Sequence, residues 1–253
     1  MNISAVIITK NEAHIIGKTL QAMQQLTNDI IIVDSGSTDD TVAICKKMNT
    51  VVIETSWDGY GANKNKGIAA AQNNWILNTD ADEIPDEELI QSLLALQEEN
   101  ENTLFEIKFK NFFCGKQIRF GEWGFDKHIR LFSRNKVKWN NAAVHEELMI
   151  PDGAVTKTVA GSILHYTTNS MEEYQSKTIG YAKLNAQKYF ALGKKASVVK
   201  QYLSPVFSFL QNYIFRFGFL DGKEGFTIAK TTARYTFLKY KYLIKLNKGN
   251  KLS

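Results

Sequence analysis

The chain has 253 residues, 44% hydrophobic and 23% charged, enough for a sizeable buried core and ordinary for a globular protein. Three prolines and no low-complexity stretch argue against long disordered segments, and no apolar run reaches the ~18 residues of a helical bilayer span. The net charge of +5 is uneven: from Lys200 onward ten basic residues face only Asp221 and Glu224, so this end carries +8 and the rest −3.

Ile3 to Thr9 is a β-branched run that reads as a buried strand. Asn11 to Leu26 places Ile15, Ile16, Leu20, Met23 and Leu26 at helical spacing. Asp29 to Asp34 is a second buried strand, and SGSTDDT after it is a turn that also supplies helix caps. A short helix (Thr41 to Met48), a third strand (Thr50 to Thr55), an Ala-rich helix (Asn65 to Asn73) and a fourth strand (Trp75 to Thr79) follow. Such βαβαβαβ order predicts a mostly parallel sheet with helices on both faces. After Pro85 a helix is expected to about Glu99. From Thr103 to about Ile163, stretches such as LFEIKFKNFF predict antiparallel strands added to that sheet, and from Met171 the pattern is mainly helical. One domain over 1–170 and a helical extension over 171–253 are expected.

Cys45 and Cys114 follow no disulfide or metal spacing and read as reduced core thiols. The stretch MNISAVIITKNEA lacks a basic n-region and a long apolar core, so a cytoplasmic placement is expected.

The chemistry starts at WILNTDADEIP, where an apolar strand ends on Asp80 and presents Asp82 two residues on. Ligands of open α/β sheets bind beyond the carboxyl ends of the strands. Two adjacent carboxylates repel, and Mg²⁺ or Mn²⁺ relieves this while also taking phosphate oxygens. The plainer alternative is that Asp82 and Glu83 cap the helix beginning near Pro85. Asp34 ends the second strand before Gly36 and Ser37, where its carboxylate can meet a nucleotide base or ribose; a turn with an N-cap explains the same residues. There is no G-x-G-x-x-G after the first strand, against a dinucleotide site, and no G-x-x-x-x-G-K-[ST], against a P-loop.

Taken together, T-K-N-E (Thr9 to Glu12), I-I-V-D-S-G-S-T-D-D-T (Ile31 to Thr41), K-N-K-G (Lys64 to Gly67) and D-A-D-E (Asp80 to Glu83) resemble the family 2 glycosyltransferases of GT-A fold. The resemblance implies a Rossmann-like, mostly parallel central sheet with a C-terminal helical extension. It also implies an inverting transfer of a hexose, such as glucose, from a UDP-sugar. On this likeness Thr9, Asn11, Glu12, Asp34, Gly36 and Ser37 line the nucleotide pocket, Lys64 lies near the diphosphate, and Asp80 and Ala81 contact the donor. Asp82 would hold the divalent cation. The later motifs F-D-K-H-I-R-L-F (Phe125 to Phe132), V-H-E-E-L (Val144 to Leu148), I-L-H-Y (Ile163 to Tyr166) and G-F-L-D-G (Gly218 to Gly222) resemble the bacterial lipopolysaccharide core β-glucosyltransferases, implying a cell-envelope glycan or glycolipid acceptor.

An attacking hydroxyl must lose a proton, and for that base Glu146 is the first choice and Asp126 the second. His165 is a candidate metal ligand or a hydrogen-bonded structural residue. Arg130 is a candidate phosphate partner or one half of a structural salt bridge. A sugar-nucleotidyltransferase would resemble G-G-x-G-x-R where this chain has T-K-N-E, and a catalytically inactive nucleotide-sugar-binding scaffold is the remaining rival. In the tail, apolar and aromatic residues at near-helical spacing alternate with lysines. Either they face an anionic membrane, or Phe207, Phe209, Phe215 and Phe219 are core. No motif supports a nucleic-acid partner.

Overall fold

Strand β1 (Ile3–Thr9) is buried at all seven positions, and its alternating side chains feed two separate cores. Ile3, Ala5 and Ile7 join Ile16, Leu20 and Met23 of helix α1 (Ile16–Met23) and Leu89 and Leu93 of α4 (Glu87–Leu94) on one side of the sheet. Val6 joins Ile68 at the end of α3 (Tyr60–Ala70), together with Trp139, on the other. A strand covered on both faces reads as a continuous apolar run, which is why this one is so plain in the sequence.

The computed structural model describes residues 1–140, 147–168 and 170–249. Strands β2 (Ile30–Asp34), β3 (Val51–Glu54) and β4 (Trp75–Asp80) complete the parallel set, with α2 (Thr41–Lys47) between β2 and β3. β5 (Glu83–Pro85), β6 (Thr103–Phe113), β7 (Lys116–Gln117), β8 (Lys127–Ser133) and β11 (Val155–Thr168) extend the sheet. Its order is β3-β2-β1-β4-β8-β6-β11-β5, with β7 paired to β6 and the small pair β9 (Lys138–Trp139) and β10 (Leu148–Met149) separate. β8 lies antiparallel to both β4 and β6, as the middle third of the sequence leads one to expect.

Two compact units emerge, Met1–Phe109 with Lys127–His165, and Lys110–Asp126 with Tyr166–Ser253. The sequence suggests one cut after 170, whereas these units interleave along the chain. In the second unit, α5 (Met171–Ala191) and α7 (Gly222–Asn247) share a core of Ala186, Tyr240 and Leu243. α6 (Val198–Leu210) sets Tyr202 edge-on against Phe237 of α7. The Asp221 carboxylate accepts from the backbone N–H groups of Arg119 and Phe120, so the G-F-L-D-G motif serves as a structural anchor here.

Three expectations need correction. Cys45 is buried, but Cys114 is exposed in the β6–β7 turn with φ 48. Phe207, Phe215 and Phe219 are exposed, not core. The helix expected from Asn11 begins only at Ile16, and Asn11 itself sits at φ 56, outside the helical region. Among the described residues, no helix is long and apolar enough to cross a membrane.

Candidate functional site

The carboxyl ends of β1, β2 and β4 bring three loops together. After β1, Asn11 takes φ 56, and its side-chain oxygen accepts from the Thr38 N–H at 2.8 Å. In return Ser37 Oγ accepts from Asn11 N–H at 2.8 Å and Thr41 Oγ1 from Glu12 N–H at 2.8 Å. Asp34 is buried and organises the second loop: Oδ2 accepts from the N–H groups of Gly36 and Ser37, each at 2.9 Å, and Oδ1 from the Ser37 hydroxyl. Gly36 sits at φ 82, a left-handed conformation that side chains resist. A carboxylate has about four lone-pair sites, so Asp34 holds this turn and keeps capacity for a further donor.

Helix α3 supplies the third wall through consecutive residues with different tasks. Asn63 donates to Ser35 Oγ at 2.9 Å. Lys64 turns inward, only 2% exposed, with Nζ 4.4 Å from the centre of the Trp139 ring and 3.6 Å from Asp80 Oδ1. A buried ammonium is tolerated only with such a carboxylate and aromatic face. Asn65 clasps the Trp139 backbone in both directions, and Trp139 Nε1 donates to Asn78 at 2.8 Å.

The turn after β4 is braced from three sides. Thr19 of α1, fully buried, donates its hydroxyl to the Ala81 carbonyl at 2.6 Å. Glu83 Oε2 accepts from Asp80 N–H at 3.2 Å, and its Oε1 accepts from Arg130 of β8 at 2.5 Å. His165 lies opposite Glu83 in the β5–β11 register and within 3.5 Å of Asp82 Oδ2. Helix α4 is capped by Asp86, which accepts from Leu89 N–H at 3.0 Å. The cap alternative for Asp82 and Glu83 is thereby removed.

Electrostatics separate the neighbouring acids. Burial pushes the Asp80 carboxyl up, yet Lys64, Arg130 and His165 outweigh it and hold it below the usual aspartate value. Burial raises Glu83, with Arg130 opposing and Asp80 reinforcing. Burial lowers His165, but Asp82, Glu83 and Asp80 together lift it above the ordinary imidazole value. Asp80 Oδ1 is buried with no hydrogen-bond partner among the described residues, and so is Thr9 Oγ1.

Of the residues singled out in the sequence, Asp80, Asp82, His165, Lys64 and Arg130 cluster at one strand end, and Thr9, Asn11, Glu12, Asp34, Gly36 and Ser37 form the adjoining loops. Arg130 is committed to Glu83, the salt-bridge alternative. Asp126 belongs to the second unit, where it accepts from Asn111 Nδ2 at 3.3 Å. Glu146 lies outside the described residues. Thr19, Asn65, Asn78 and Trp139 escape sequence reasoning, since only long-range contacts reveal their tasks.

No group of three His, Cys, Asp or Glu among the described residues is arranged to hold a metal by itself. A hard divalent cation needs only one or two carboxylates when a diphosphate supplies further oxygens, and Asp80 Oδ1, without a hydrogen bond and two residues from Asp82, fits that demand.

The parallel strands end on acids, a buried lysine and a polar loop pair, at the edge where open α/β sheets bind their ligands. The glycosyl transferase family 2 model matches residues 4–147, more than half of the sequence, and the chain belongs to this family, with the GT-A fold. The lipopolysaccharide core biosynthesis glycosyltransferase LpsC of Rhizobium meliloti is 30% identical over 93% of this chain and 89% of its own length. An uncharacterized glycosyltransferase of Rickettsia conorii is 28% identical over 98% of this chain and 90% of its own. Among solved structures, Staphylococcus aureus TarS in complex with UDP-GlcNAc aligns over 100% of this chain and 93% of its own, at 14% identity and a TM-score of 0.47.

Proposed function

We propose that this glycosyltransferase moves a hexose, with inversion, from a UDP-sugar to a cell-envelope glycan or lipid-linked acceptor such as lipopolysaccharide core. The observation that carries the donor half is Asp80 Oδ1, buried at the carboxyl edge of the sheet with no hydrogen bond and facing the Lys64 ammonium at 3.6 Å. That ion pair leaves hydrogen-bonding capacity on the carboxylate unfilled, which a ligand can complete. The acceptor half is supported by the likeness to LpsC over most of both chains. The basic C-terminal region would hold the enzyme at an anionic membrane, where a lipid-linked acceptor resides.

In this reading the Thr9–Glu12 loop and Asp34 hold uracil and ribose. Lys64, paired with Asp80 at 3.6 Å, lies toward the diphosphate. Asp82, with His165 beside it, would hold Mg²⁺ or Mn²⁺, and the cation supplies positive charge at the leaving diphosphate. Arg130 positions Glu83 and through it the Asp80–Asp82 turn. Glu146 would take the proton of the attacking hydroxyl, with Asp126 as second choice.

Calorimetric titration of UDP, with and without Mn²⁺ and beside GDP, tests the donor site. Metal-dependent binding of UDP in preference to GDP is expected, lost in a folded Asp82→Ala variant. Binding of neither nucleotide by the folded protein with metal present overturns the reading.

A further inference from the structure

Helix α6 carries an apolar face that the protein does not cover. Val199 is 65% exposed, Leu203 63% and Phe207 62%, on one side of the helix at four-residue spacing. A flank of the helix meets α7, through Tyr202 against Phe237 and Phe209 against Phe226, and Pro205 is its buried position. The face continues past the helix into Phe215, 69% exposed, and Phe217, 53% exposed and held at φ 57. More than half of all the strongly exposed large apolar side chains among the described residues fall between Val198 and Phe226. Soluble surfaces scatter such residues singly; a contiguous patch marks a contact.

Along the segment that carries this face the charges have one sign. There is no Asp or Glu between Tyr174 and Leu220. Lys194, Lys195, Arg216 and Lys223 are all exposed. Asp221 is taken by backbone N–H groups and Glu224 by Lys116 at 2.6 Å, and the exposed acid near Arg216 is Glu122, next to Gly121, whose N–H donates to the Arg216 carbonyl at 2.9 Å.

We infer that α6 and the Phe215–Phe217 turn insert into the interfacial layer of an anionic phospholipid bilayer, with Lys194, Lys195, Arg216 and Lys223 on the headgroups. Charge decides the occupant. A second copy meeting the same face would bring cations against cations. A nucleic acid would satisfy the cations but leave the aliphatic face in water. Anionic lipid satisfies both at once. With 13 residues, α6 is far short of the ~20 that span a bilayer, so it lies in the plane of the surface. This deepens the membrane placement proposed above and makes the contact an apolar insertion in addition to attraction by the basic tail.

Flotation of the full chain with vesicles of phosphatidylcholine alone, or carrying about a third phosphatidylglycerol, tests it. The wild type should float with the anionic vesicles. A Leu203→Ser, Val206→Ser, Phe207→Ser variant should lose about tenfold of that association and keep UDP binding unchanged, because all three side chains are exposed. In a Phe207→Trp variant the new indole should be quenched by lipids with brominated acyl chains. A wild type that stays unbound, a serine variant that floats like wild type, or an unquenched Trp at 207 overturns the inference. So does a lipid-free dimer that the serine variant dissociates. A wild type that binds UDP but does not float defeats this inference alone, and a wild type that floats but binds no UDP defeats the donor reading alone.

Discussion

The Glu83 side chain serves two partners at once, the Arg130 guanidinium at 2.5 Å and the Asp80 backbone N–H at 3.2 Å. Both side chains of the ion pair are nearly sealed from water, at 10% and 2% exposure. Removing one member of such a pair strands the other, so Arg130→Met should cost about 3–5 kcal/mol of stability. Replacing both, with Glu83→Leu added, should recover much of that loss. A deficit of about 1–3 kcal/mol should remain, because Asp80 N–H then has no acceptor. Urea midpoints of the two singles and the double resolve this, and strictly additive losses would show that no coupled brace exists. The acids themselves were legible: two carboxylates at the end of an apolar strand announce a site. Their supports were not. Thr19 meets Ala81 from 62 positions away and Arg130 meets Glu83 from 47, and no local pattern encodes such distant pairings.

At the scale of the element, α3 shows how one short stretch of sequence is shared among fold and site. Lys64 and Asn65 face the strand ends, whereas Gly67 presses the helix onto the sheet. A Cβ at position 67 would lie 2.5 Å from Val6 Cγ1 and 2.9 Å from Val33 Cγ2. Propensity alone favours Ala over Gly inside a helix by about 1 kcal/mol. Overpacking should reverse that sign, and Gly67→Ala is expected to destabilise by about 1–3 kcal/mol, with partial rescue by Val6→Ala. A Gly67→Ala variant with a raised urea midpoint would show that the helix stands off the sheet. Elements buried on both sides, such as β1, had boundaries readable to the residue, since burial writes itself as an unbroken apolar run. The start of α1 did not, because Asn11 is held at φ 56 with its side chain bonded to Thr38 of the β2 loop, a long-range tie that no local pattern encodes. β5 is three residues long and exists only through its pairing with β11, so its signal was lost in the Asp80–Pro85 stretch.

Over the whole molecule, the apolar periodicity of the C-terminal third was visible, but periodicity tells only that a face is covered and not what covers it. In α7 the covering is protein, with Leu243 fully buried; in α6 it is left to something outside the chain. The two compact units therefore carry different proposals, the nucleotide site in Met1–Phe109 with Lys127–His165 and the lipid-facing surface in Lys110–Asp126 with Tyr166–Ser253. Two ligands should leave two footprints in amide hydrogen exchange. Mn²⁺ with UDP should slow exchange in the loops after β1, β2 and β4, because ordering them raises the local opening free energy. Anionic vesicles should slow exchange in α6 and the turn that follows, where exposed side chains now leave the backbone open to solvent. At about 100 times the dissociation constant, a ligand adds about 2.7 kcal/mol to any opening that requires its release, a slowing of about a hundredfold. If vesicles protected only the β1, β2 and β4 loops, or UDP only α6, the assignment of the two functions to their separate units would fall.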